Sequence, residues 1–147
     1  MKLVICEKPS VAKAVASALG VTSRADGCFE GNGLIVSWCV GHLVSPMDAA
    51  GYDLGYKKWK YDDLPILPEP FRYVLAKGKE DAFQNLKHLM EREDVTELVN
   101  ACDAGREGEL IFRLVYEMAE CQKPFSRLWI SSMEDAAIRE GFQDLRP

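Results

Sequence analysis

The sequence predicts an α/β fold in which a mostly parallel sheet is flanked by helices. Short apolar runs rich in β-branched residues alternate with segments of helical periodicity, a pattern typical of strands joined by crossover helices. The first run, Lys2–Cys6, is apolar without alternation after its lysine, as expected for a strand covered on both faces. The chain of 147 residues is long enough for a single domain with one core.

The N-terminal part of the chain is predicted to hold a strand, a helix and a hairpin. After the strand at Lys2–Cys6, Pro9 and Ser10 open a helix whose apolar residues recur at helical spacing. The run Gly33–Gly41 is predicted to be a buried strand, paired with Cys28–Gly31 through a Gly-Asn-Gly turn.

The sequence changes character between Ser45 and Pro70. Prolines, glycines and aromatic residues occur there with no clear period. We expect a long irregular loop, and loops of this length tend to carry function. Within it, Tyr56–Tyr61 mixes lysines with aromatic residues, which is the composition of single-strand binding surfaces, but two aspartates follow at once. A plain loop anchor remains the alternative interpretation.

The C-terminal half returns to alternating strands and helices. The predicted strands lie at Phe71–Ala76, Thr96–Asp103 and Phe125–Ser132, and the predicted helices cover Lys79–Glu91, Glu107–Glu120 and Ser132–Phe142. Ser132 is expected to cap the last helix, because Asp135 stands three residues further on. The helix over Glu107–Glu120 is predicted to bury Leu110, Ile111, Leu114, Val115 and Met118.

Composition and charge exclude several classes of protein. The sequence has no run of 18 apolar residues, so a membrane span is not expected. Five cysteines without a C-x-x-C pair favour reduced thiols in a cytoplasmic protein over a zinc site or a disulfide framework. A net charge of −5 argues against a self-sufficient DNA-binding module, and it permits a domain that holds divalent cations or shares a nucleic acid with other domains.

Acidic residues follow two of the predicted strands. Glu7 comes directly after the first strand, and Asp103 comes directly after the run "LVNAC" (98–102) and closes the predicted strand at Thr96–Asp103. Ligands of doubly wound sheets bind beyond the carboxyl ends of the strands, so these carboxylates converge if the strands are neighbours. Glu107, in the first turn of the next helix, points toward the same edge. Three such oxygen ligands with room for water suit Mg²⁺.

Two cations and two glycines accompany these acids. Lys8 and Arg106 are placed to hold an anionic substrate or to stabilise charge on a phosphoryl group. Gly105 and Gly108 would let the backbone approach a phosphate closely. Each residue also has a simpler explanation, because acids are favoured at any helix N-terminus and a lone lysine is usually a surface residue. Glu109 is interpreted as such a dipole or surface residue.

An ordered set of motifs in this chain resembles the Toprim domain. More narrowly, it is similar to the N-terminal Toprim domain of type IA DNA topoisomerases, in the bacterial topoisomerase III branch. The resemblance covers essentially the whole chain and implies a single Toprim domain at 1–147 with a Rossmann-like sheet. The motifs are "EKPS" (7–10), "GHL" (41–43), "WKYDDLPILP" (59–68), "DAGREGELI" (103–111) and the closing "RLWISS" (127–132).

The resemblance assigns roles to residues of this sequence. It implies that Glu7 is an acid near the scissile phosphate, that Lys8 stabilises that phosphate, and that Glu7, Asp103 and Glu107 hold Mg²⁺. It suggests DNA contacts for Arg106 and for His42, although a histidine that only structures the turn is an alternative.

One position departs from the family pattern. Gly105 stands where the family commonly has a second aspartate, which puts a two-metal site in doubt. If Gly105 is the vacant ligand position, Gly105→Asp in the full-length enzyme is expected to keep activity and to raise the affinity for Mg²⁺.

The activity that the resemblance implies is the cleavage, passage and resealing of single DNA strands without ATP, through a 5′-phosphotyrosine link. The sequence has no Walker A pattern, and none of its five tyrosines stands in the context of the family's nucleophile. We therefore expect the N-terminal domain of a much longer isomerase, monomeric and inactive alone, which handles single-stranded DNA together with downstream domains.

Two other hypotheses remain open at this point. A stand-alone Toprim nuclease or a primase-like nucleotidyl transferase would use the same acids for a different phosphoryl transfer. A non-enzymatic module would use them only to hold Mg²⁺ or to cap helices.

Overall fold

A computed structural model describes residues 1–47, 54–57, 60–61 and 73–147. The strands are β1 (Lys2–Cys6), β2 (Ser23–Ala25), β3 (Cys28–Gly31), β4 (Leu34–Trp38), β5 (Val44–Pro46), β6 (Tyr73–Leu75), β7 (Glu97–Ala101) and β8 (Phe125–Arg127). The α-helices are α1 (Pro9–Ala18), α2 (Glu80–Glu91), α3 (Arg106–Met118) and α4 (Asp135–Gln143), and Leu54–Lys57 forms a short 3-10 helix. None of the described helices combines the length and the apolar composition that crossing a bilayer requires.

The main sheet has six strands in the order β2-β3-β4-β1-β7-β8. β1 pairs in parallel with β4 and β7, and β7 pairs in parallel with β8, whereas β2 and β3 are antiparallel additions at one edge. In the register, Cys6 stands opposite Trp38 on one side and Ala101 on the other. The residues that follow β1 and β7 therefore leave the sheet side by side, and the predicted mostly parallel α/β fold is confirmed.

Helices cover both faces of this sheet. Leu3 and Ile5 of β1 pack into a core with α2 and α3, and Val4 and Cys6 pack into a second core with α1 and α4. All four residues are fully buried, which explains why β1 is apolar without alternation. Phe112 of α3 is also fully buried, and burial of such a side chain stabilises the fold by roughly 1.5–3 kcal/mol.

The hairpin of β3 and β4 forms as predicted. The turn between the strands places Asn32 at φ 51° and Gly33 at φ 75°, the left-handed pair that a two-residue hairpin turn needs. The Asn32 amide also donates to the carbonyl oxygen of Gly20 at 2.9 Å. The turn therefore both reverses the chain and fixes the end of the α1 segment against the sheet.

The buried face of α3 differs from the prediction. Leu110 is 42% exposed, whereas Phe112 is fully buried. The stripe that faces the sheet follows the spacing of three and four residues from Gly108 through Ile111 and Phe112 to Val115, and Leu110 lies off this stripe. The prediction that Leu110 faces inward was therefore wrong.

The last strand and the last helix are shorter than predicted. β8 ends at Arg127, and α4 begins at Asp135 after an N-cap at Glu134 that has no side-chain hydrogen bond. Ser132 does not cap this helix, because its hydroxyl oxygen accepts from the backbone N–H of Glu134, which lies outside the helix. The expected capping role of Ser132 was therefore wrong.

The segment predicted as an irregular loop is held at its ends by a small second sheet. β5 and β6 pair antiparallel, with Val44 opposite Leu75 and Pro46 opposite Tyr73. Most of the loop between them, including Trp59 and the proline-rich run that follows, lies outside the described residues. The strand predicted at 71–76 is observed at Tyr73–Leu75, and residues 71–72 are likewise outside the described part.

Candidate metal and phosphate site

The parallel pairing of β1 and β7 brings Glu7 and Asp103 together. Their carboxyl groups are near neighbours at the ends of these paired strands, and we call this pair the acidic edge. Asp103 is exposed and Glu7 is half-buried. Burial raises the pKa of Glu7, and the neighbouring Asp103 raises it further, while Lys8 and His42 act in the opposite direction. The two acids are thus arranged so that ionising both is unfavourable.

The acidic edge has the donor chemistry that a hard divalent cation needs. Two ionised carboxylates side by side repel each other, and a bound cation removes that repulsion. Both acids extend from the ends of paired strands, so their backbone positions are fixed before any ligand arrives. The exposure of Asp103 leaves room for water or phosphate oxygens, which usually complete the coordination of Mg²⁺. The residues present therefore fit this ion.

Glu107, the third predicted metal ligand, is engaged by a different residue. Its Oε2 lies 2.9 Å from Nε2 of His42, and both side chains are largely exposed. Among the described residues, no three His, Cys, Asp or Glu side chains are grouped so that they could hold a metal ion. The structure therefore brings two of the three predicted acids together, and a direct metal contact by Glu107 stays a prediction.

Lys8 and Arg106 flank the acidic edge. Lys8 is the extended N-cap residue of α1 and directly follows Glu7. Arg106 is the first residue of α3 and lies three residues after Asp103. Both residues are exposed to solvent. Their positions are compatible with contacts to a phosphate held near the acids, although their predicted roles stay predictions.

Gly105 in the β7–α3 turn and Gly108 in the first turn of α3 are required by geometry of different kinds. Gly105 has φ 149° and ψ −175°, a conformation that L residues rarely adopt, with open space around the position of a Cβ atom. At Gly108, an added Cβ would lie 2.0 Å from the carbonyl oxygen of Asp103. The backbone conformation at Gly105 and the close approach of Gly108 to Asp103 therefore account for both glycines without any phosphate.

We predict that Gly105→Asp destabilises the chain by about 1–3 kcal/mol, because a side chain at this φ strains the backbone. The expectation from the sequence, that Gly105→Asp keeps activity and raises the affinity for Mg²⁺, concerns other properties and stays a prediction. Chemical unfolding of Gly105→Asp and Gly105→Ala measures the effect. Equal destabilisation of both variants would assign it to the backbone, and an undiminished stability of Gly105→Asp would contradict the prediction.

A buried polar network under the acidic edge was not recognised from the sequence. Arg127 is 7% exposed and donates to the carbonyl oxygens of Asn100 and Asp103. Glu109, interpreted from the sequence as a dipole or surface residue, accepts from the Asn100 side chain at 3.0 Å and from Arg113 at 2.6 Å. A polar Asn100 inside an apolar strand was the one signal that could have indicated this network.

Buried thiols also lie at the strand ends. Cys6, Cys39 and Cys102 are free and buried, and Cys39 and Cys102 share the core beneath α3. The interaction with the neighbouring thiol of Cys39, together with burial, raises the pKa of Cys102 far above its ordinary value. The thiol of Cys102 therefore remains protonated and acts as a small apolar group at neutral pH.

A cleft of about 360 Å³ opens beside Asp103 on the α1 side of the sheet. Its walls are mostly apolar, with Val11 and Val15 from α1 and Leu128 and Ile130 from the segment after β8. The cleft joins the acidic edge directly, so a ligand with its phosphate at Asp103 could extend into it.

Comparison with known proteins identifies relatives of this chain. The family model described as "Toprim domain" matches residues 2–133. The chain is 47% identical over 145 residues to DNA topoisomerase 3 of Shouchella clausii (strain KSM-K16) and 46% identical over 144 residues to DNA topoisomerase 3 of Bacillus subtilis (strain 168). These alignments cover 99% and 98% of this chain but only 20% of each relative.

A solved structure shares the fold. Full-length topoisomerase I from Thermotoga maritima superposes with a TM-score of 0.64 at 23% sequence identity, over 98% of this chain and 21% of that one. At this identity, the similarity concerns the architecture of the domain alone.

Proposed function

This chain belongs to the Toprim domain family, and from that premise we propose that it is the N-terminal Mg²⁺-binding domain of a type IA DNA topoisomerase. The chain spans 20% of the length of the curated relatives, which are named DNA topoisomerase 3. The proposed activity is that of the whole enzyme, which cleaves, passes and reseals single DNA strands without ATP through a 5′-phosphotyrosine link.

The single observation that supports this proposal is the convergence of Glu7 and Asp103 at the ends of two paired parallel strands. When bound there, Mg²⁺ would neutralise charge on a DNA phosphate. The carboxylates of Glu7 and Asp103 would hold the ion, and Glu107 would join them directly or through water after leaving His42. Glu7 would also lie near the scissile phosphate, where its carboxyl group can hold or move a proton.

Cationic side chains around the acidic edge would bind the DNA backbone. Lys8 would stabilise the scissile phosphate, and Arg106 and His42 would contact phosphates next to it. The net charge of −5 leaves this domain with little general affinity for DNA, so we propose that single-stranded DNA is held jointly with other domains.

The nucleophilic tyrosine is proposed to lie in another domain. Tyr116 is half-buried, and its hydroxyl donates to the carbonyl oxygen of Lys123 at 2.7 Å, which is a structural role. Tyr73 lies in β6, where it is exposed and lines a small cleft with Leu114, Glu117 and Met118 of α3. The isolated chain is therefore proposed to be unable to cleave DNA. We also propose that it is monomeric and that the whole protein acts in the cytoplasm.

Metal binding to the isolated chain tests the proposal. We expect Mg²⁺ to bind to the wild-type chain and its apparent affinity to fall about tenfold or more in Asp103→Asn, since one of two carboxylate ligands is lost. Isothermal titration calorimetry measures both affinities. Glu93→Gln, which removes an exposed acid just before the N-terminal end of β7, is the matched control and should bind like wild type. Equal binding by wild type and Asp103→Asn would reject the assigned site.

A further inference from the structure

Arg127 lies beneath the acidic edge, at the end of β8. Its side chain is almost completely buried, although a guanidinium group remains charged at any physiological pH. Nη2 donates to the carbonyl oxygen of Asp103 at 2.5 Å, and Nη1 donates to that of Asn100 at 3.3 Å. Arg127 therefore binds the backbone of β7 and of the turn that follows it. Because Arg127 is itself part of β8, these hydrogen bonds attach that turn to the sheet.

The same guanidinium group also faces α3. Nε of Arg127 lies 3.5 Å from Oε2 of Glu109 and has no hydrogen-bond partner among the described residues. Oε2 of Glu109 accepts instead from the amide of Asn100 at 3.0 Å. Arg127 thus connects three segments that meet at the acidic edge, namely β7, the β7–α3 turn and the first turns of α3.

The turn that carries Asp103 needs such an anchor. Asp103 is exposed, and the glycine at 105 gives the following peptide more conformational freedom than other residues would. A carboxylate that binds a metal must be held by its surroundings in the correct orientation, and outer-shell hydrogen bonds usually provide this. The Arg127–Asp103 hydrogen bond fixes the backbone from which that carboxylate projects.

We propose that Arg127 is a positioning residue for the Asp103 carboxylate, holding it in the orientation that binds the divalent cation. This inference rests on the metal site of the proposed function. Arg127 does not contact the cation or the substrate. It acts only through the carbonyl oxygens at the end of β7.

The charge of Arg127 alone would have the opposite effect. A guanidinium group close to Asp103, Glu109 and Glu7 repels an approaching cation, so a purely electrostatic role weakens metal binding. Removal of the charge would then tighten the binding of a divalent cation. A positioning role predicts weaker binding after the same substitution, so the sign of the change separates the two.

Titration with Mn²⁺, a paramagnetic probe, tests the inference on the ¹⁵N-labelled chain. Broadening of the backbone amide signals of Glu7 and Asp103 locates the ion and gives its apparent Kd. We expect the Kd to rise about tenfold in Arg127→Met and about threefold in Arg127→Lys, which keeps the charge but offers a single donor nitrogen in place of the guanidinium fork. Arg113→Met, which removes the other arginine paired with Glu109, is the matched control and should bind as wild type does.

Amide chemical shifts of α2, remote from the acidic edge, report whether each variant is folded. An unchanged or lower Kd in folded Arg127→Met would overturn the inference. If Arg127→Met fails to fold, Arg127→Lys decides in the same way, and an unchanged Kd there rejects the positioning role. Absence of localised broadening in the wild-type chain would reject the metal site itself, and with it this inference, whereas wild-type binding with unaffected Arg127 variants rejects the inference alone.

Discussion

Gly108→Ala is expected to destabilise the chain by at least about 2 kcal/mol, because the added Cβ would lie 2.0 Å from the carbonyl oxygen of Asp103 and 2.8 Å from its backbone N and C atoms. Helix propensity alone predicts the opposite sign, since alanine is favoured over glycine in a helix by about 1 kcal/mol. The position of a Cβ atom is fixed by its own backbone, and the atoms that it would meet are backbone atoms of Asp103. No change of rotamer or small side-chain shift can therefore relieve the clash. Urea unfolding measures the free energy difference.

The same substitution is expected to remove the proposed metal binding. Relief of the clash requires α3 to move away from the β7–α3 turn, and Asp103 belongs to that turn. Glu117→Ala, at an exposed position further along α3, is the matched control and should change stability by no more than about 0.5 kcal/mol. A stability of Gly108→Ala equal to or above that of wild type would show that the close approach of α3 to Asp103 is not as described.

Glu7→Gln is expected to reduce plasmid relaxation by the proposed full-length enzyme by about 100-fold or more, because it would remove both a proposed metal ligand and the carboxyl group proposed to lie next to the scissile phosphate. The relaxation of negatively supercoiled DNA with Mg²⁺ and without ATP is the measurement. Glu97→Gln, at the opposite end of the neighbouring strand, is the matched control and should retain activity. Undiminished relaxation by Glu7→Gln would show that Glu7 has neither of these proposed roles.

Glu7→Gln should increase the stability of the isolated chain at neutral pH, although it is expected to reduce activity. The pKa of Glu7 is raised in the folded chain, so the folded state holds this proton more tightly than the unfolded state. The stability therefore falls as the pH rises from the ordinary glutamate pKa through the raised one, and the penalty is fully present above both. Glu7→Gln removes this penalty, while near pH 4 the protonated wild type resembles the variant.

Thermal unfolding at two pH values measures this difference. We expect Glu7→Gln to match wild type near pH 4 and to be more stable near pH 7, by no more than about 1 kcal/mol because solvent screens the partly exposed pair. Asp103→Asn should show the same sign, since it removes the other half of the repulsion. A Glu7→Gln variant less stable than wild type at neutral pH would contradict the described proximity of the two acids.

Local sequence patterns were sufficient for most of the secondary structure. β1 and the hairpin of β3 and β4 form where apolar runs and turn residues indicated them, and α2 begins within one residue of its predicted start. These elements depend on short-range rules, namely helical spacing, buried apolar runs and the demand of a tight turn for Asn and Gly. β2 and β5 were not predicted, because each has only three residues. Such short strands are defined by hydrogen bonding to a partner strand rather than by a sequence pattern of their own.

The sequence by itself determined that Glu7 and Asp103 follow strands, that acids and cations accompany them, and that the chain is a Toprim domain. Only the tertiary structure decided that β1 and β7 are direct neighbours, since strand order depends on pairing between residues far apart in the chain. It also decided that Glu107 pairs with His42 and that Arg127 lies buried under Asp103. Periodicity reports which side of an element is buried, but the partners of a polar side chain are set by distant segments that packing brings together.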